Sequence, residues 1–326
     1  MNIIEAENLV KKFNGFTAVD GVSFQIRQGE IFGFLGPNGA GKTTTINMLI
    51  GMARITQGTV KLKGEDYKDN VKKAQAKMGI VPDESNLWED LSGMENLVFC
   101  GALHGMEKKQ REKRAEELME QFELKEAGRR PFKAYSKGMK RKLTIAAGII
   151  HEPEILFLDE PTTGIDVAFA RQIRKLIQDL HQKGTTIFLT THYIEEAERL
   201  CQRVAFIVDG KIVREGTVDE LMKEAQRDTV ISFTLGEERT SIQEEVAEAF
   251  PDFTIQAPKE NEIRVQSSSA FTLLPLVQFF EEHGLSVYEA KIIRPSLEEV
   301  FVKVTGIELK SMQDQQSQKG SKKGGR

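Results

Sequence analysis

The sequence predicts an α/β core with an inserted helical subdomain, followed by a small α+β domain. Three observations lead to this prediction. Short apolar runs typical of buried strands alternate with helix-like segments as far as about residue 225. Residues from about 85 to 150 read as helical throughout. From about residue 228 the elements follow the order β-α-β-β-α-β, which is that of the ferredoxin-like split motif.

These patterns predict three parts of the chain. Residues 1–225 form the core domain, with the helical subdomain at about 85–150, and residues 228–306 form the accessory domain. Residues 307–326 are mainly Gln, Ser, Gly and Lys and have almost nothing to bury, so we expect a disordered polar and basic tail.

The composition is that of an ordinary soluble protein. Of 326 residues, 40% are hydrophobic and 29% are charged, and the net charge of -4 gives no electrostatic reason to bind nucleic acid. No apolar run approaches the ~18 residues of a membrane-spanning helix. The acidic start MNIIEAENLVKK does not resemble a signal peptide, and Cys100 and Cys201 lie far apart. We therefore expect a cytoplasmic chain with reduced thiols and no nucleic-acid partner.

The core domain begins with two candidate strands, Val22–Ile26 and Glu30–Leu35. Two further buried strands are predicted at Ile155–Leu158 and Thr185–Leu189. Between them, apolar residues at helical spacing indicate a helix over residues 169–180. The order strand, helix, strand requires a right-handed crossover and predicts a mostly parallel sheet.

Local signals place further elements. Asp209-Gly210 between two apolar runs predicts a hairpin. Ser92 followed by Glu95 is a capping-box pattern that begins a helix, and Lys108–Phe122 is a highly charged helix. The accessory domain has predicted strands and helices in the order Val230–Leu235, Ile242–Phe250, Phe253–Gln256, Ile263–Val265, Phe271–Glu282, Leu285–Ile293 and Ser296–Val304.

The strongest functional pattern is the glycine-rich run GPNGAGKT at residues 36–43, between a strand and the helix Thr44–Leu49. Glycines let backbone N–H groups converge on phosphate oxygens, and the helix N-terminus adds partial positive charge. Lys42 is expected to reach the β- and γ-phosphates, and the Thr43 hydroxyl to bind Mg²⁺. The predicted nucleotide-binding residues are Gly36, Pro37, Asn38, Gly39, Ala40, Gly41, Lys42, Thr43 and Thr44.

The segment ILFLDEP at residues 155–161 places two acids at the carboxyl end of a buried strand. Ligands of α/β proteins bind at that edge of the sheet. Asp159 is predicted to hold Mg²⁺, and Glu160 to accept a proton from the attacking water or to orient it. For this segment alone, two solvated acids at a strand end remain an alternative.

Three further candidate residues are predicted from their positions next to predicted helices and strands. Ser136, in Tyr135-Ser136-Lys137-Gly138-Met139, is a natural N-cap, and it makes either a second anion-binding helix N-terminus or only a helix start. His192 follows the strand at 185–189 and should lie at the same sheet edge as the two acids, either as a structural histidine or as a γ-phosphate ligand. Asp166 could cap the next helix, and this structural role can hold alongside a functional one.

Together these motifs resemble a known family. The ordered set GPNGAGKT, YSKGM, ILFLDEP, TTGID and TTH resembles the nucleotide-binding domain of ABC transporters over residues 1 to about 220, within the P-loop NTPase fold. The last part of the chain, ending in PSLEEVFVKVTG, resembles the C-terminal extension of ABC-2 type exporter ATPases of the antibiotic-resistance kind, and YSKGM is a signature variant seen in that group.

The resemblance implies an ATP- and Mg²⁺-dependent head-to-tail dimer, either a homodimer or paired ATPase subunits. Ser136 and Gly138 would bind the γ-phosphate of the partner's nucleotide, and Asp166 would lie at the dimer seam. Phe13 matches the family's adenine-stacking aromatic, although a core phenylalanine is an alternative and Phe16 is a rival.

Two positions depart from the family pattern. Asp83, in MGIVPDESNLW, stands where the family has a glutamine that contacts the metal, the attacking water and the membrane subunit. A carboxylate can bind Mg²⁺ but adds negative charge near the γ-phosphate. Lys137 replaces a signature glycine and adds positive charge near the dimer interface.

The expected function is therefore that of an ATP-hydrolysing transporter subunit on the inner face of the cell membrane, bound there through a separate integral-membrane permease and powering export. An importer ATPase is an alternative, as are a soluble non-transport ABC protein and a non-hydrolysing regulatory module. A translation factor would need two tandem motif sets, and a chromosome or repair ATPase would need a long coiled coil, whereas this chain has neither.

Overall fold

The structure is a computed structural model that describes residues 1–66, 71–225, 229–236, 242–259, 261–268, 271–293 and 296–307. The chain forms two compact units, one of Met1–Val218 with Phe301–Arg326 and one of Asp219–Val300. The predicted disordered tail lies almost entirely outside the described residues. Within the described ranges, no helix is both long and apolar enough to cross a membrane.

The elements are numbered in chain order. The strands are β1 Asn2–Phe13, β2 Phe16–Arg27, β3 Ile31–Leu35, β4 Gln57–Leu62, β5 Glu65–Asp66, β6 Met78–Val81, β7 Ile155–Asp159, β8 Thr186–Thr191, β9 Arg203–Val208, β10 Lys211–Thr217, β11 Thr229–Leu235, β12 Thr254–Lys259, β13 Glu262–Ser267 and β14 Val287–Ile293. The helices are α1 Lys42–Leu49, α2 Val71–Gln75, α3 Gly93–Leu103, α4 Lys108–Gln121, α5 Lys137–Gly148, α6 Val167–Gln182, α7 Ile194–Leu200, α8 Val218–Ala225, α9 Ile242–Ala249, α10 Leu274–Glu282 and α11 Leu297–Thr305.

The first unit contains two sheets. One has the strand order β10-β9-β3-β8-β7-β6, and its strands are parallel except for β10, which pairs antiparallel with β9. The other is antiparallel, with the order β2-β1-β4-β5. The prediction of a mostly parallel sheet is therefore right for the first sheet only. The predicted strand Val22–Ile26 lies in the antiparallel sheet, because β2 forms a hairpin with β1 instead of joining the parallel strands.

Five phenylalanines on strands of both sheets share one core. Phe24 on β2 stacks on Phe32 with ring centroids 5.5 Å apart, and the rings of Phe34, Phe157 and Phe188 complete the cluster. All five are buried. Aromatic pairs of this kind add about 0.5–1.5 kcal/mol each beyond their burial, so the cluster helps to hold the two sheets together.

The region predicted as helical over 85–150 is helical only from Gly93 onward, in α3, α4 and α5. Residues 85–92 form a loop, because the buried Asn96 side chain makes hydrogen bonds to the backbone of this segment. The Asn96 amide accepts from Trp88 N at 2.9 Å and donates to Trp88 O at 3.0 Å. The predicted capping box of Ser92 and Glu95 is confirmed at the start of α3. The Asp209-Gly210 hairpin is also confirmed, with φ of 47° and 78° at its two residues.

The second unit has one antiparallel sheet with the order β12-β13-β11-β14, which is the ferredoxin-like arrangement that the sequence predicted. Its core includes Phe233 and Phe280, with ring centroids 5.2 Å apart. The predicted helix from Phe271 begins later, at Leu274, and carries a proline in its first turn. Phe271 instead packs on Phe253, 4.6 Å between ring centroids.

Candidate active site

Four neighbouring parallel strands bring the predicted site residues to one edge of the sheet. In the order β3-β8-β7-β6, the carboxyl end of each strand leads into a functional segment. The glycine-rich loop follows β3, His192 follows β8, Asp159 and Glu160 end β7, and Asp83 follows β6. The neighbours in this order are distant in sequence, so the crossovers of the fold assemble the site.

The glycine-rich loop needs glycine where the chain approaches other backbone. Gly41 is the N-cap of α1 with φ of 104°, a conformation that favours glycine. A Cβ there would also lie 2.6 Å from the Ala18 carbonyl oxygen. At Gly36 a Cβ would overlap the carbonyl oxygen of Ile207. The Gly41 cap makes no side-chain hydrogen bond to the first turn of α1, where backbone N–H groups have no partner within the helix.

Lys42, the first residue of α1, is buried in the loop. Its Nζ donates to Gly36 O at 2.8 Å and to Pro37 O at 3.2 Å. The same Nζ lies 3.2 Å from Glu160 Oε1 in an ion pair between two side chains that are 6% and 10% exposed. The lysine therefore connects the loop after β3 to the acid after β7.

Thr43 and Asp159 form the second connection between these segments. Thr43 Oγ1 donates to Asp159 Oδ2 at 2.9 Å, and Thr190 Oγ1 on β8 donates to Asp159 Oδ1 at 2.5 Å. A hydroxyl beside a carboxylate is the oxygen donor set that Mg²⁺ prefers. Among the described residues no group of three or more His, Cys, Asp or Glu side chains is placed to hold a metal. The Thr43 hydroxyl and the Asp159 carboxylate are the oxygen groups that would hold a magnesium ion here.

Glu160 is turned away from Asp159 by its backbone, which has φ of 49°. This conformation is rare for a residue other than glycine and tends to occur at functional sites. Glu160 Oε2 accepts from Thr163 Oγ1 at 2.9 Å and lies 2.7 Å from His192 Nδ1. Burial raises the pKa of Glu160, but the hydrogen bond from His192 and the charge of Lys42 outweigh burial, so its pKa is lowered and it is ionised at neutral pH.

Asp83 follows β6, which is the edge strand of the sheet next to β7. The pKa of its carboxyl is raised, first by partial burial and then by the charges of Glu160 and Asp159, against the opposing effect of Arg141. Asp83 is thus close enough to both acids to interact electrostatically. Partial burial is thus the largest reason why the pKa of Asp83 is raised, and the charges of the two neighbouring acids add to it.

Arg141 on α5 is a residue that the sequence reasoning missed. Its buried guanidinium donates to the backbone carbonyls of both flanking segments, including Asp159 O at 2.6 Å and Asp83 O at 3.1 Å. It also donates to Pro161 O at 2.9 Å and to Pro82 O. The helix that begins at Ser136 is therefore bonded directly to the two acid-bearing strand ends. Carbonyl partners leave no trace in a sequence motif, so no pattern pointed to this arginine.

The YSKGM segment forms the N-terminus of α5 as predicted. Ser136 caps it, accepting from Met139 N at 3.3 Å. Gly138 packs against the Phe169 ring, where a Cβ would come within 2.5 Å of ring carbons. Lys137 extends toward Gly164 of the TTGID segment. Asp166 caps α6, accepting from Phe169 N at 3.0 Å, which confirms the capping prediction.

The two candidate aromatics lie on the hairpin between β1 and β2, where Phe13 pairs with Phe16. Phe13 is 48% exposed, so the alternative of a core phenylalanine is wrong for it, and its rival Phe16 is 63% exposed. Lys11 Nζ lies 4.6 Å from the centroid of the Phe13 ring.

Comparison with known proteins identifies the family. The ABC transporter profile matches residues 19–163. The chain is 34% identical over 317 residues to the linearmycin resistance ATP-binding protein LnrL of Bacillus subtilis, covering 94% of this chain and 100% of LnrL. It is 34% identical over 305 residues to the bacitracin transport ATP-binding protein BcrA of Enterococcus faecalis, covering 93% and 96%. It is 42% identical over 218 residues to the daunorubicin/doxorubicin resistance ATP-binding protein DrrA of Streptomyces peucetius, covering 67% and 66%.

Solved structures agree. An ATP-binding subunit of an ABC transporter superposes with a TM-score of 0.63 at 27% identity, covering 68% of this chain and 93% of that one. The ATP-binding cassette MJ0796, in a dimeric post-hydrolysis state bound to ADP and Pi, gives 0.61 at 26% identity, covering 66% and 98%. With the loop, the paired acids and the histidine at one sheet edge, these likenesses show that this chain belongs to the ABC transporter family, as an ATP-binding subunit that is an ATPase.

Proposed function

We propose that the chain powers export through a separate membrane permease, with Glu160 as the general base of ATP hydrolysis. The observation that carries this proposal is the contact set of Glu160 with Lys42 and His192 at the sheet edge. A base must be ionised and correctly oriented, and this carboxylate has both a lowered pKa and three neighbours that position it.

The roles of the remaining residues follow from their contacts. The backbone of the loop and Lys42 bind the phosphates, because backbone N–H groups and an ammonium group converge there. Phe13 or Phe16 provides a stacking face for adenine. Thr43 and Asp159 hold Mg²⁺, which when bound neutralises charge on the phosphates. His192 keeps the Glu160 carboxylate oriented through Nδ1, and it lies on the strand end between the loop and the acids.

We infer that Ser136, Gly138 and Asp166 act on the nucleotide of a second copy. Ser136 and Asp166 are exposed helix caps in this chain, so both residues are accessible to a second copy. The similar cassette MJ0796 is dimeric. A head-to-tail dimer would place the N-terminus of α5, with its partial positive charge, against the γ-phosphate held by the partner's loop.

A mixing experiment tests this trans arrangement. A population with Lys42→Ala has a defective loop, and one with Ser136→Arg has a blocked α5 N-terminus, so each homodimer has two defective sites. A mixed dimer has one site with both defects and one intact site. We expect mixing to restore ATP-dependent dimer formation and part of the hydrolysis.

Both quantities must be measured, because hydrolysis could require two sites acting together. If labelled subunits demonstrably exchange but mixing restores neither hydrolysis nor ATP-dependent dimer formation, each chain builds its site alone and the role of Ser136 is wrong.

The names of similar proteins support the proposal of export. Relatives are a bacitracin transport protein and a Nod factor export protein, besides the resistance proteins above. We propose two ATPase subunits bound to permease subunits on the cytoplasmic face of the membrane, with no nucleic acid. Detergent extracts should yield such a complex, and the chain expressed alone should be released from membranes by salt. Salt-resistant binding of the isolated chain would contradict the proposal.

Asp83 is proposed to contact both the magnesium site and the permease. Asp83→Ala should lower ATP turnover while nucleotide binding survives, and Glu84→Ala, an exposed neighbour, should leave turnover unchanged. Unchanged hydrolysis and unchanged transport in Asp83→Ala would show that Asp83 has no part in either.

We also propose that residues 228–306 fold independently of the ATPase core at 1–225. The division of the chain into two compact units supports this, although the second unit ends at Val300 and Phe301 packs against Phe206 of the first. Ending the chain near residue 225 should preserve ATP binding and weaken dimer formation or transport. Collapse of nucleotide affinity would place the boundary elsewhere.

A further inference from the structure

The sheet of the second unit has two edge strands with different chemistry. Edge strands expose unpaired backbone groups, and proteins commonly protect them with proline or charge. β12 contains Pro258, which has no N–H to offer to another strand. β14 contains no proline, and its residues 288–292 are all exposed, with Tyr288 at 77% and Ile292 at 55%. In the described part of the chain, no strand pairs with the outer edge of β14.

The pairing with β11 shows which side chains of β14 share a face. Ala290 lies opposite Phe233 and Ile292 opposite Ile231, so both extend the apolar core face. Glu289 and Lys291 lie opposite Thr234 and Ser232 on the other face. The exposed edge therefore has an apolar face and a face with one acid and one base.

We propose that β14 pairs antiparallel with β14 of a second copy of this chain, centred on Ala290. This register places Glu289 opposite Lys291 of the second copy, and by symmetry it does so twice. On the apolar face it places the Ala290 side chains of the two copies opposite each other. The arrangement is isologous, since one two-fold axis relates the two strands.

Two other registers, shifted by one residue at the centre, would also keep the apolar faces together. Charge favours the proposed register over both. Centring the pair on residue 289 would oppose two glutamates, and centring it on residue 291 would oppose two lysines. Like charges directly opposite each other destabilise a strand pair, whereas opposite charges stabilise it. A shift that centres the pair between two residues would place the apolar face of one strand beside the polar face of the other.

The contact is short, because a bulge at Tyr288 ends the regular part of the strand. A few strand pairs do not hold a dimer alone. The inference therefore rests on the proposed function, in which two copies are already held together at their nucleotide sites. Under that condition a weak contact forms because the effective concentration of the second strand is high.

Cysteine cross-linking of the full chain tests the contact. In a Cys100→Ser background, Ala290→Cys places two thiols opposite each other in the proposed register, while Cys201 is buried. Ala257→Cys is the matched control, since Ala257 is an exposed alanine on β12 of the same sheet. Under mild oxidation with Mg-ATP, we expect Ala290→Cys to cross-link at least about five-fold faster than Ala257→Cys.

Charge reversals give the decisive comparison. In the Ala290→Cys chain, Glu289→Lys or Lys291→Glu should each slow cross-linking about five-fold or more, and the double exchange should restore it. Equal rates for Ala290→Cys and Ala257→Cys, or a double exchange no faster than the single ones, would overturn the inference.

Sedimentation of the same variants with ATP separates this inference from the proposed function. An ATP-dependent dimer that persists without preferential cross-linking at Ala290→Cys refutes only the strand contact. Preferential cross-linking that is rescued by the double exchange, in a chain that forms no ATP-dependent dimer, supports the strand contact but contradicts the proposed dimer of the nucleotide sites and the dependence of the contact on it.

Discussion

The helices α1 and α5 begin alike in sequence and differ in structure. Each has lysine as its first residue, Lys42 in α1 and Lys137 in α5. α1 has a glycine cap with no side-chain hydrogen bond, and Lys42 is buried against loop carbonyls and Glu160. α5 is capped by the Ser136 hydroxyl, and Lys137 is exposed.

The difference indicates that the surroundings of a helix N-terminus decide whether it can bind phosphate. At α1 the chain supplies a cation, a glycine-rich loop and a neighbouring acid pair, so we propose that this half of the shared nucleotide site comes from one chain. At α5 the first turn is already capped by its own serine. We infer that α5 contributes to a site only when another chain brings the ligand to it.

The largest expected effect is on ATP turnover at the site beside α1. Glu160→Gln should lower ATP turnover about 1,000-fold while ATP binding remains, since general-base catalysis is worth about 10²–10⁴-fold. Single-turnover hydrolysis and nucleotide binding would be measured together, with Glu84→Gln as the control acid. Turnover within a few-fold of wild type would exclude Glu160 as the base.

The bonds of Arg141 join α5 to the acids, and their removal should be costly for stability. Arg141→Met leaves several buried carbonyls without a donor, so we expect a loss of about 3 kcal/mol in the free energy of unfolding. Denaturant unfolding would measure it, with the half-buried neighbour Lys140→Met as control. Equal stabilities of the two variants would show that Arg141 does not support the site.

The two lysines provide the direct test of the comparison. Lys42→Ala should weaken ATP binding by the dilute chain about 100-fold, because it removes charge-assisted hydrogen bonds to phosphate. Lys137→Ala should change it less than about two-fold, because an exposed charge is screened by solvent. Circular dichroism would confirm that both variants are folded. A comparable loss in both would remove the distinction between the helices.

Removing the His192 side chain should change the pH dependence of ATP hydrolysis. Its hydrogen bond lowers the pKa of Glu160, so His192→Ala should raise that pKa. Because the base works only when ionised, the acid limb of the pH–rate profile should move to higher pH. His181→Ala, which removes a histidine bonded to Gly29 O, is the control. An unmoved acid limb in His192→Ala would mean that the histidine does not tune the base.

The smallest effect concerns the cap of α5. Ser136→Ala removes one side-chain cap and should cost about 1 kcal/mol of stability. In α1 no side-chain cap exists to remove, and Thr44→Ala in its first turn should cost less. Thermal unfolding of both variants would measure the difference, and an equal loss would show that the Ser136 cap is dispensable.

Local patterns predicted where many of the candidate site residues lie in the fold. The loop at 36–43, the acids at the end of β7 and the caps Ser136 and Asp166 depend on turns and residues adjacent in sequence. The ferredoxin-like order of the second unit was also predictable, because its strands alternate clearly with two helices.

What sequence reasoning missed depends on contacts between distant segments. β1 was not predicted, and its sheet forms by pairing with β2 and β4. The order of the parallel strands follows from crossovers, so the location of Thr190 against Asp159 could not be read from the chain. Glu196 is another example, since its buried carboxylate accepts from Thr162, 34 residues earlier, at 2.7 Å.

The Lys42–Glu160 ion pair has a consequence for the timing of the reaction. The charge of Lys42 is one reason why the pKa of Glu160 is lowered, which makes the carboxylate a weaker base. A γ-phosphate that draws Lys42 toward itself replaces this stabilising charge with negative oxygens. Glu160 then becomes more basic as the substrate arrives. In the proposed mechanism, the single 3.2 Å contact with Lys42 therefore makes the basicity of Glu160 depend on whether nucleotide is bound.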